Sequence, residues 1–350
     1  LGGYASSSIS GANTRRYHGL LVAALNPPTN RMVLVSKVEE TVLVNDQALE
    51  IGCSQYQNAI NPNGYEYITG FERFPFPKTT FQSEAFKLEK TVFMVYKSNT
   101  TVLSYKNSGK NELVLRVNVF LNHRDYHGNF HENMNNNFYT ESHDNVLKTY
   151  AFYGAQPLFT KHSGTFVSDP NWYKNFFYAK EQYRGLDPLE DTFKIGYLEL
   201  KLKPKETTTF VFTTDEAILN GKEIDFKKNE LKRLKNLGEG SDTFLNDLLV
   251  SGNQFIVERK STDSHSIIAG YHWFTDWGRD SMIAMRGLCI DIGNKAASES
   301  ILKTFLDYLN EGMLPNRFPD APDDDVEYNT IDATLWLFVV LYEYYQKFQE

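Results

Sequence analysis

Residues 31–44, RMVLVSKVEETVLV, alternate apolar, largely β-branched side chains with polar ones, the period of a half-buried strand. The same pattern recurs outward along the chain at residues 86–105 (FKLEKTVFMVYKSNTTVLSY), 112–120 (ELVLRVNVF) and 193–212. Turn clusters such as Asn61-Pro62-Asn63-Gly64 separate these runs, and no helical period lies between them. Many short strands without intervening helices predict an antiparallel β-sandwich over residues 1–214. Residues 121–141 (LNHRDYHGNFHENMNNNFYTE) are too polar for a strand and too aromatic for a linker, so a long structured loop is expected there.

From 215 to 240 the composition turns charged and helix-favouring (EIDFKKNELKRLKNL) and closes on Gly238-Glu239-Gly240-Ser241. This reads as a helical linker at a domain boundary. From 241 to 350 the period becomes 3.6, with helices expected at 243–259, 282–292, 295–309 and 330–348. Gly293 is placed to end the second helix in a left-handed conformation. The last helix, containing IDATLWLFVVLYEYY, is apolar nearly all round and calls for burial on both sides. Four helices supply few neighbours for it, so the helical domain is expected to continue past residue 350.

Composition narrows the function. Hydrophobic residues make up 41% and charged residues 23% of 350 residues, and no run approaches the roughly 20 apolar residues of a membrane helix. The formal net charge of −8, with no block of Lys or Arg, leaves no electrostatic footprint for a nucleic acid or an anionic membrane, so a neutral ligand fits better. Cys53 and Cys289 stand far apart without metal-ligand spacing and read as free core thiols in a reducing, cytoplasmic setting. No cofactor and no metal are expected.

Three stretches concentrate polar and aromatic groups before helices: residues 271–280 (YHWFTDWGRD), 314–320 (LPNRFPD) and 327–332 (EYNTID). Turns at one end of antiparallel helical hairpins converge, and aromatic faces beside fixed Arg and Asp side chains suit a sugar. Blander roles compete. Asp276 and Asp280 also fit N-cap or first-turn positions, and Asp332 fits a capping-box partner for Asn329. The run Asp323-Asp324-Asp325 lacks the alternating oxygen ligands of a calcium loop and reads as a solvated loop. His123, His127 and His131 have helical metal-ligand spacing, yet their Asn, Gly and Tyr neighbours are poor helix formers.

Four blocks resemble a known family: LGGYASSSISGANTRRYHGLLVAAL at the start, RGLDPLEDTF at 184–193, WFTDWGRDSMIAMRGL at 273–288, and LPNRFPD followed by EYNTIDATLWLF. Together they look like the glycogen-debranching amylo-α-1,6-glucosidases of bacterial and archaeal type. The resemblance implies an N-terminal antiparallel β-sandwich, a helical linker, and the first helices of an (α/α)6 catalytic toroid. It implies inverting hydrolysis of α-1,6-linked glucose at branch points of glycogen or limit dextrin. Asp332, in YNTIDA, takes the position of the general acid. Arg279 and Asp280 take that of a pair gripping the terminal glucose, with Trp273, Phe274 and Trp277 as walls. Asn316 and Arg317 add a second polar contact, and Asp276 and Asn329 complete the binding set. The family's catalytic base is a Glu in a later helix, so no residue here is assigned to it, and the chain is expected to be a truncated form. A helix N-terminus lowers the pKa of a carboxyl that a general acid needs raised, and burial among Trp336, Tyr328 and substrate has to offset it. Two other readings stay open: a non-catalytic glucan-binding protein, and an (α/α)6 glycosidase acting on another α-glucosidic linkage.

Overall fold

The structure is a computed structural model and describes residues 1–219, 225–238, 242–318 and 325–349. It divides into two compact units. A β unit comprises Tyr4–Ala23 and Met32–Lys227, and a helical unit comprises Leu1–Gly3, Ala24–Arg31 and Lys228–Glu350.

The β unit is built from two large antiparallel sheets. One runs Tyr4–Ser6, Gly19–Asn26, Thr29–Val44, Leu113–Asp125, Leu189–Leu202, Thr165–Phe177, with Gln47–Glu50 added beside Thr29–Val44. The other runs Tyr139–His143, Val146–Tyr150, Leu158–Lys161, Thr207–Thr213, Thr100–Asn107, Lys87–Met94, Lys78–Gln82, Ile68–Glu72. Leu113, Leu115, Val117 and Val119 are buried while Val114, Arg116 and Asn118 between them are not, the alternation that the pleat imposes. Each buried side chain of this size stabilises the fold by roughly 1.5–3 kcal/mol. The two sheets meet through polar groups as well. The Tyr105 hydroxyl of one donates to the Glu40 carboxylate of the other, and Lys90 Nζ lies 2.6 Å from the same carboxylate.

The opening stretch departs from simple alternation. Residues 33–40 are buried on both faces, Ser36, Lys37, Glu39 and Glu40 included. The segment around Cys53 and Ser54 covers the second face, with Lys37 Nζ donating to the Cys53 carbonyl and, at 2.6 Å, to the Ser54 hydroxyl. Residues 86–105 and 193–212 each resolve into two strands, because the chain turns at 95–99 and at 203–206. The loop expected at 121–141 is shorter than the sequence suggests, since its first residues continue the strand Leu113–Asp125 and its last ones open Tyr139–His143. Its body is clamped by the 184–193 block: the Phe130 amide donates to Glu190 at 3.0 Å, the Glu132 amide to Asp191 at 3.0 Å, and Asn129 to the Asp187 and Leu189 carbonyls. His123, His127 and His131 do not share a helix face. His123 lies within the strand Leu113–Asp125 against Phe152, His127 packs on Tyr17 and Tyr126, and His131 sits near Asp187 and Asp191.

In the helical unit, helices span Phe226–Leu237, Thr243–Asn253, Gly278–Met285, Lys295–Leu306 and Asp332–Phe348. The helix expected at 243–259 stops early. Its β-branched end forms the strand Ile256–Arg259, which pairs with Ser264–Ile267. Gly278–Met285 runs into a π-helical stretch, Arg286–Asp291, and Gly293 follows with φ +76°, a conformation glycine adopts without steric penalty. Met282, Met285, Cys289, Ile301, Phe305, Phe318 and Val340 form the core of this unit. The last helix buries Ala333, Leu337, Val340 and Tyr344 but exposes Leu335, Phe338, Leu341, Tyr342 and Tyr345. Burial on both sides is therefore not what the described residues provide, because its neighbours among them occupy one face. Glu239, Gly240 and Ser241 of the expected linker turn lie outside the described residues, as do Asp323 and Asp324 of the acidic run.

Candidate active site

The three polar-aromatic stretches come together in the helical unit. Trp277 bridges Arg317 and Arg317 bridges Glu327, each antiparallel. The Gly278 amide donates to the Asn316 carbonyl at 2.7 Å, and the Asn316 amide to the Glu327 carbonyl at 2.6 Å. Position 278 admits only glycine at this spacing, since a Cβ there would stand 2.2 Å from the Pro315 carbonyl oxygen.

Two buried arginines brace the 271–280 turn. Arg31 is fully buried and donates to the Pro28, His272 and Phe274 carbonyls at 2.9 to 3.2 Å. Arg259 Nη1 lies 2.6 Å from Asp276 Oδ2, both side chains being almost fully buried, and the Arg259 guanidinium sits 4.2 Å from the centre of the Phe318 ring. Asp276 therefore lies buried beneath the turn as the partner of Arg259.

Above this base, helix N-termini present the charged groups. Arg279 Nη1 is 3.2 Å from Asp332 Oδ2, and its Nε is 3.9 Å from Asp280. The Arg279 and Asp332 side chains are 54% and 41% exposed, open enough to meet a ligand from solvent. Asp332 is the first residue of its helix and its Oδ1 accepts from the Ala333 amide at 2.9 Å, so it does not close a capping box with Asn329. Its carboxyl is held below the ordinary 3.8, first by the neighbouring Thr330 hydroxyl and then by the Ala333 amide and Arg279, with slight burial opposing. The Thr330 hydroxyl itself is buried and, among the described residues, makes no hydrogen bond of good geometry.

Trp273, Phe274 and Trp277 follow as a chain of rings, with centroids 5.9 Å and 6.5 Å apart, and Phe274 is 44% exposed. The Arg317 side chain is engaged with Glu327 at 3.0 Å, and Asn316 contributes through its backbone. Asn329 is exposed on the approach to the Asp332 helix. Arg31, Arg259, Glu327 and Thr330 are not among the residues expected here from the sequence. Glu327 and Thr330 lie within the 327–332 stretch, while Arg259 falls in a segment whose spacing also fits a helix. Chemically, the arrangement offers a guanidinium flanked by two carboxylates beside one exposed and two partly buried aromatic rings, a set suited to vicinal hydroxyls and an apolar ring face. Among the described residues, no group of three or more His, Cys, Asp or Glu is placed to hold a metal ion, and no helix is long and apolar enough to cross a membrane.

Residues 1–209 match the family model "Glycogen debranching enzyme N terminal", and residues 250–350 match "Amylo-alpha-1,6-glucosidase". Among solved structures the chain is similar to a putative kojibiose phosphorylase from human microbiome, at 12% identity and TM-score 0.43, covering 91% of this chain and 47% of that one. It is also similar to a bacterial glucoamylase complexed with acarbose, at 13% identity and TM-score 0.48, covering 99% of this chain and 57% of that one. The chain spans about half the length of these structures. With family models matching most of its length, the chain belongs to the glycogen debranching enzyme family.

Proposed function

We propose that the protein hydrolyses α-1,6-linked glucose at branch points of glycogen or limit dextrin, with inversion at the anomeric carbon. The observation that carries this reading is the Arg279–Asp332 contact, which joins the WGRD and YNTIDA elements from 53 positions apart at the end of two helices. Asp332 gives its proton to the glycosidic oxygen while a carboxylate on the opposite face activates water. That second carboxylate is assigned to no residue of this chain. Arg279 and Asp280 take the hydroxyls of the terminal glucose, Trp273, Phe274 and Trp277 take its apolar face, and Asn316, Arg317 and Asn329 line the approach. In this reading the two sheets form a β-sandwich, the 215–240 segment is a linker, residues 241–350 begin an (α/α)6 toroid, and the enzyme acts in the cytoplasm without a cofactor.

The acid needs its proton at the moment the bond breaks, yet the free protein holds Asp332 ionised. Sugar binding removes one lowering influence and strengthens the opposing burial. Arg279 leaves Asp332 for the sugar hydroxyls, and the ring covers a carboxyl that is otherwise open to water, which raises its pKa. The same lowered carboxyl favours a second reading, in which this surface binds a glucan without cleaving it. Glucose release from limit dextrin, set beside linear α-1,4 glucans and compared between the protein and Asp332→Asn, separates the two. Release that needs both the branch and Asp332 supports hydrolysis; tight binding without release supports the second reading.

A further inference from the structure

We propose that a cavity between the two large sheets of the β unit is a binding site for a single neutral hexose unit, distinct from the Asp332 surface. The cavity encloses about 320 Å³ between the two sheets, where the Ser6-Ser7-Ser8 segment meets Phe71, Phe81 and Lys90. That volume is at the lower end of small-molecule sites, roughly 300–1,000 Å³, so it suits one ring and excludes a branched polymer. Its floor is apolar and buried, with Val38 at 5%, Ile51 at 1% and Phe81 at 5% exposure. The rim is open: Ile9 and Phe71 are exposed.

The polar groups select the ligand. Each ammonium in the wall is matched by its own carboxylate, Lys37 with Glu39 at 3.0 Å and Lys90 with Glu40 at 2.6 Å. The wall therefore carries no excess positive charge to draw an anion. A wholly apolar ligand fits no better, because it would strip water from the Lys90–Glu40 pair without replacing its hydrogen bonds. Hydroxyls replace them. An ammonium has three donors and Glu40 takes one, while Ser8, whose hydroxyl lies 2.6 Å from the Ala12 carbonyl and 2.9 Å from Ser10 Oγ, keeps acceptor capacity. Donors, acceptors and the Phe71 and Phe81 faces together match a pyranose, with its ring of hydroxyls and apolar CH face. The α-glucan reading enters only in the choice of glucose as probe.

Hydrogen exchange of the 350-residue chain, measured with and without glucose, tests the site. Protection is expected at residues 6–11 and 36–40, unchanged in Asp332→Asn. Thr79→Trp fills the cavity from a strand that tolerates large aromatics, and it should abolish the protection while the circular dichroism stays native. Lys90→Gln, which keeps a hydrogen bond to Glu40, should weaken glucose binding at least about tenfold, the loss expected when charged donors are removed. Sulfate serves as the anionic probe and is expected to protect nothing. Protection by sulfate in place of glucose, persistence of the glucose effect in Thr79→Trp, or absence of protection in the unmodified chain overturns the proposal. The hydrolysis assay of Asp332→Asn fails or succeeds independently of these outcomes.

Discussion

Arg279 Nη1 sits 3.2 Å from Asp332 Oδ2, so the guanidinium that is expected to grip a sugar is parked, in the free protein, on the carboxyl that is expected to protonate it. In the proposed reading, this contact is one of the influences that keep the acid ionised in the free protein. The carboxyl stays ionised until something displaces Arg279 and excludes water.

The Asp332 titration is directly measurable. Its carboxyl is depressed below 3.8 in the folded chain, so this group stabilises the fold above its unfolded pKa and loses that contribution as the pH falls through the folded value. In carbon-detected NMR titrations, Arg279→Ala and Thr330→Val should each move the midpoint up toward 3.8. A midpoint unmoved by both variants would remove Thr330 and Arg279 as the cause.

The base of the site makes a stability prediction. Arg259 and Asp276 are paired at 2.6 Å and almost fully buried, so Arg259→Met leaves a buried carboxylate without its cation and should cost about 3–5 kcal/mol in denaturant unfolding. The double variant Arg259→Met with Asp276→Leu should recover a large part of that loss, since it buries no uncompensated charge. Equal destabilisation by single and double variants would show that the pair is not what braces the turn.

Gly278 makes a sharper steric prediction. A methyl group there meets the Pro315 carbonyl at 2.2 Å, so Gly278→Ala should destabilise the helical unit by roughly 1–3 kcal/mol and break the bond from the residue 278 amide to Asn316. Amide exchange at residue 278 reads that bond directly. Native protection in the alanine variant would contradict the tight crossing of the two turns.

The strands of the β unit were legible because Leu113, Leu115, Val117 and Val119 obey the two-residue period that one buried face imposes. Residues 33–40 were less so, because a second covering segment buries Lys37 and Glu39 and erases the alternation. The last helix starts at Asp332, two residues from the expected 330, whereas the helix expected from 282 already starts at Gly278, inside the polar turn that was read as preceding it. The strand at Ile256–Arg259 was hidden because its apolar spacing also fits a helix, and only its pairing with Ser264–Ile267 decides the matter. In the candidate site, the polar-aromatic stretches stand out by residue type and their expected roles come from the resemblance, while their arrangement is legible in neither. Nothing local in the sequence says that Asp276 points down to Arg259, 17 positions earlier, or that Arg279 points across to Asp332. Such pairings depend on how hairpins and turns cross, which is long-range information.

Glucose release from phosphorylase-limit dextrin by the protein and by its Asp332→Asn variant decides whether Asp332 is the acid. Release should fall about 10²- to 10⁴-fold in the variant, the usual contribution of a positioned general acid, while folding and glucan binding persist. Undiminished release by a folded Asp332→Asn protein would contradict it.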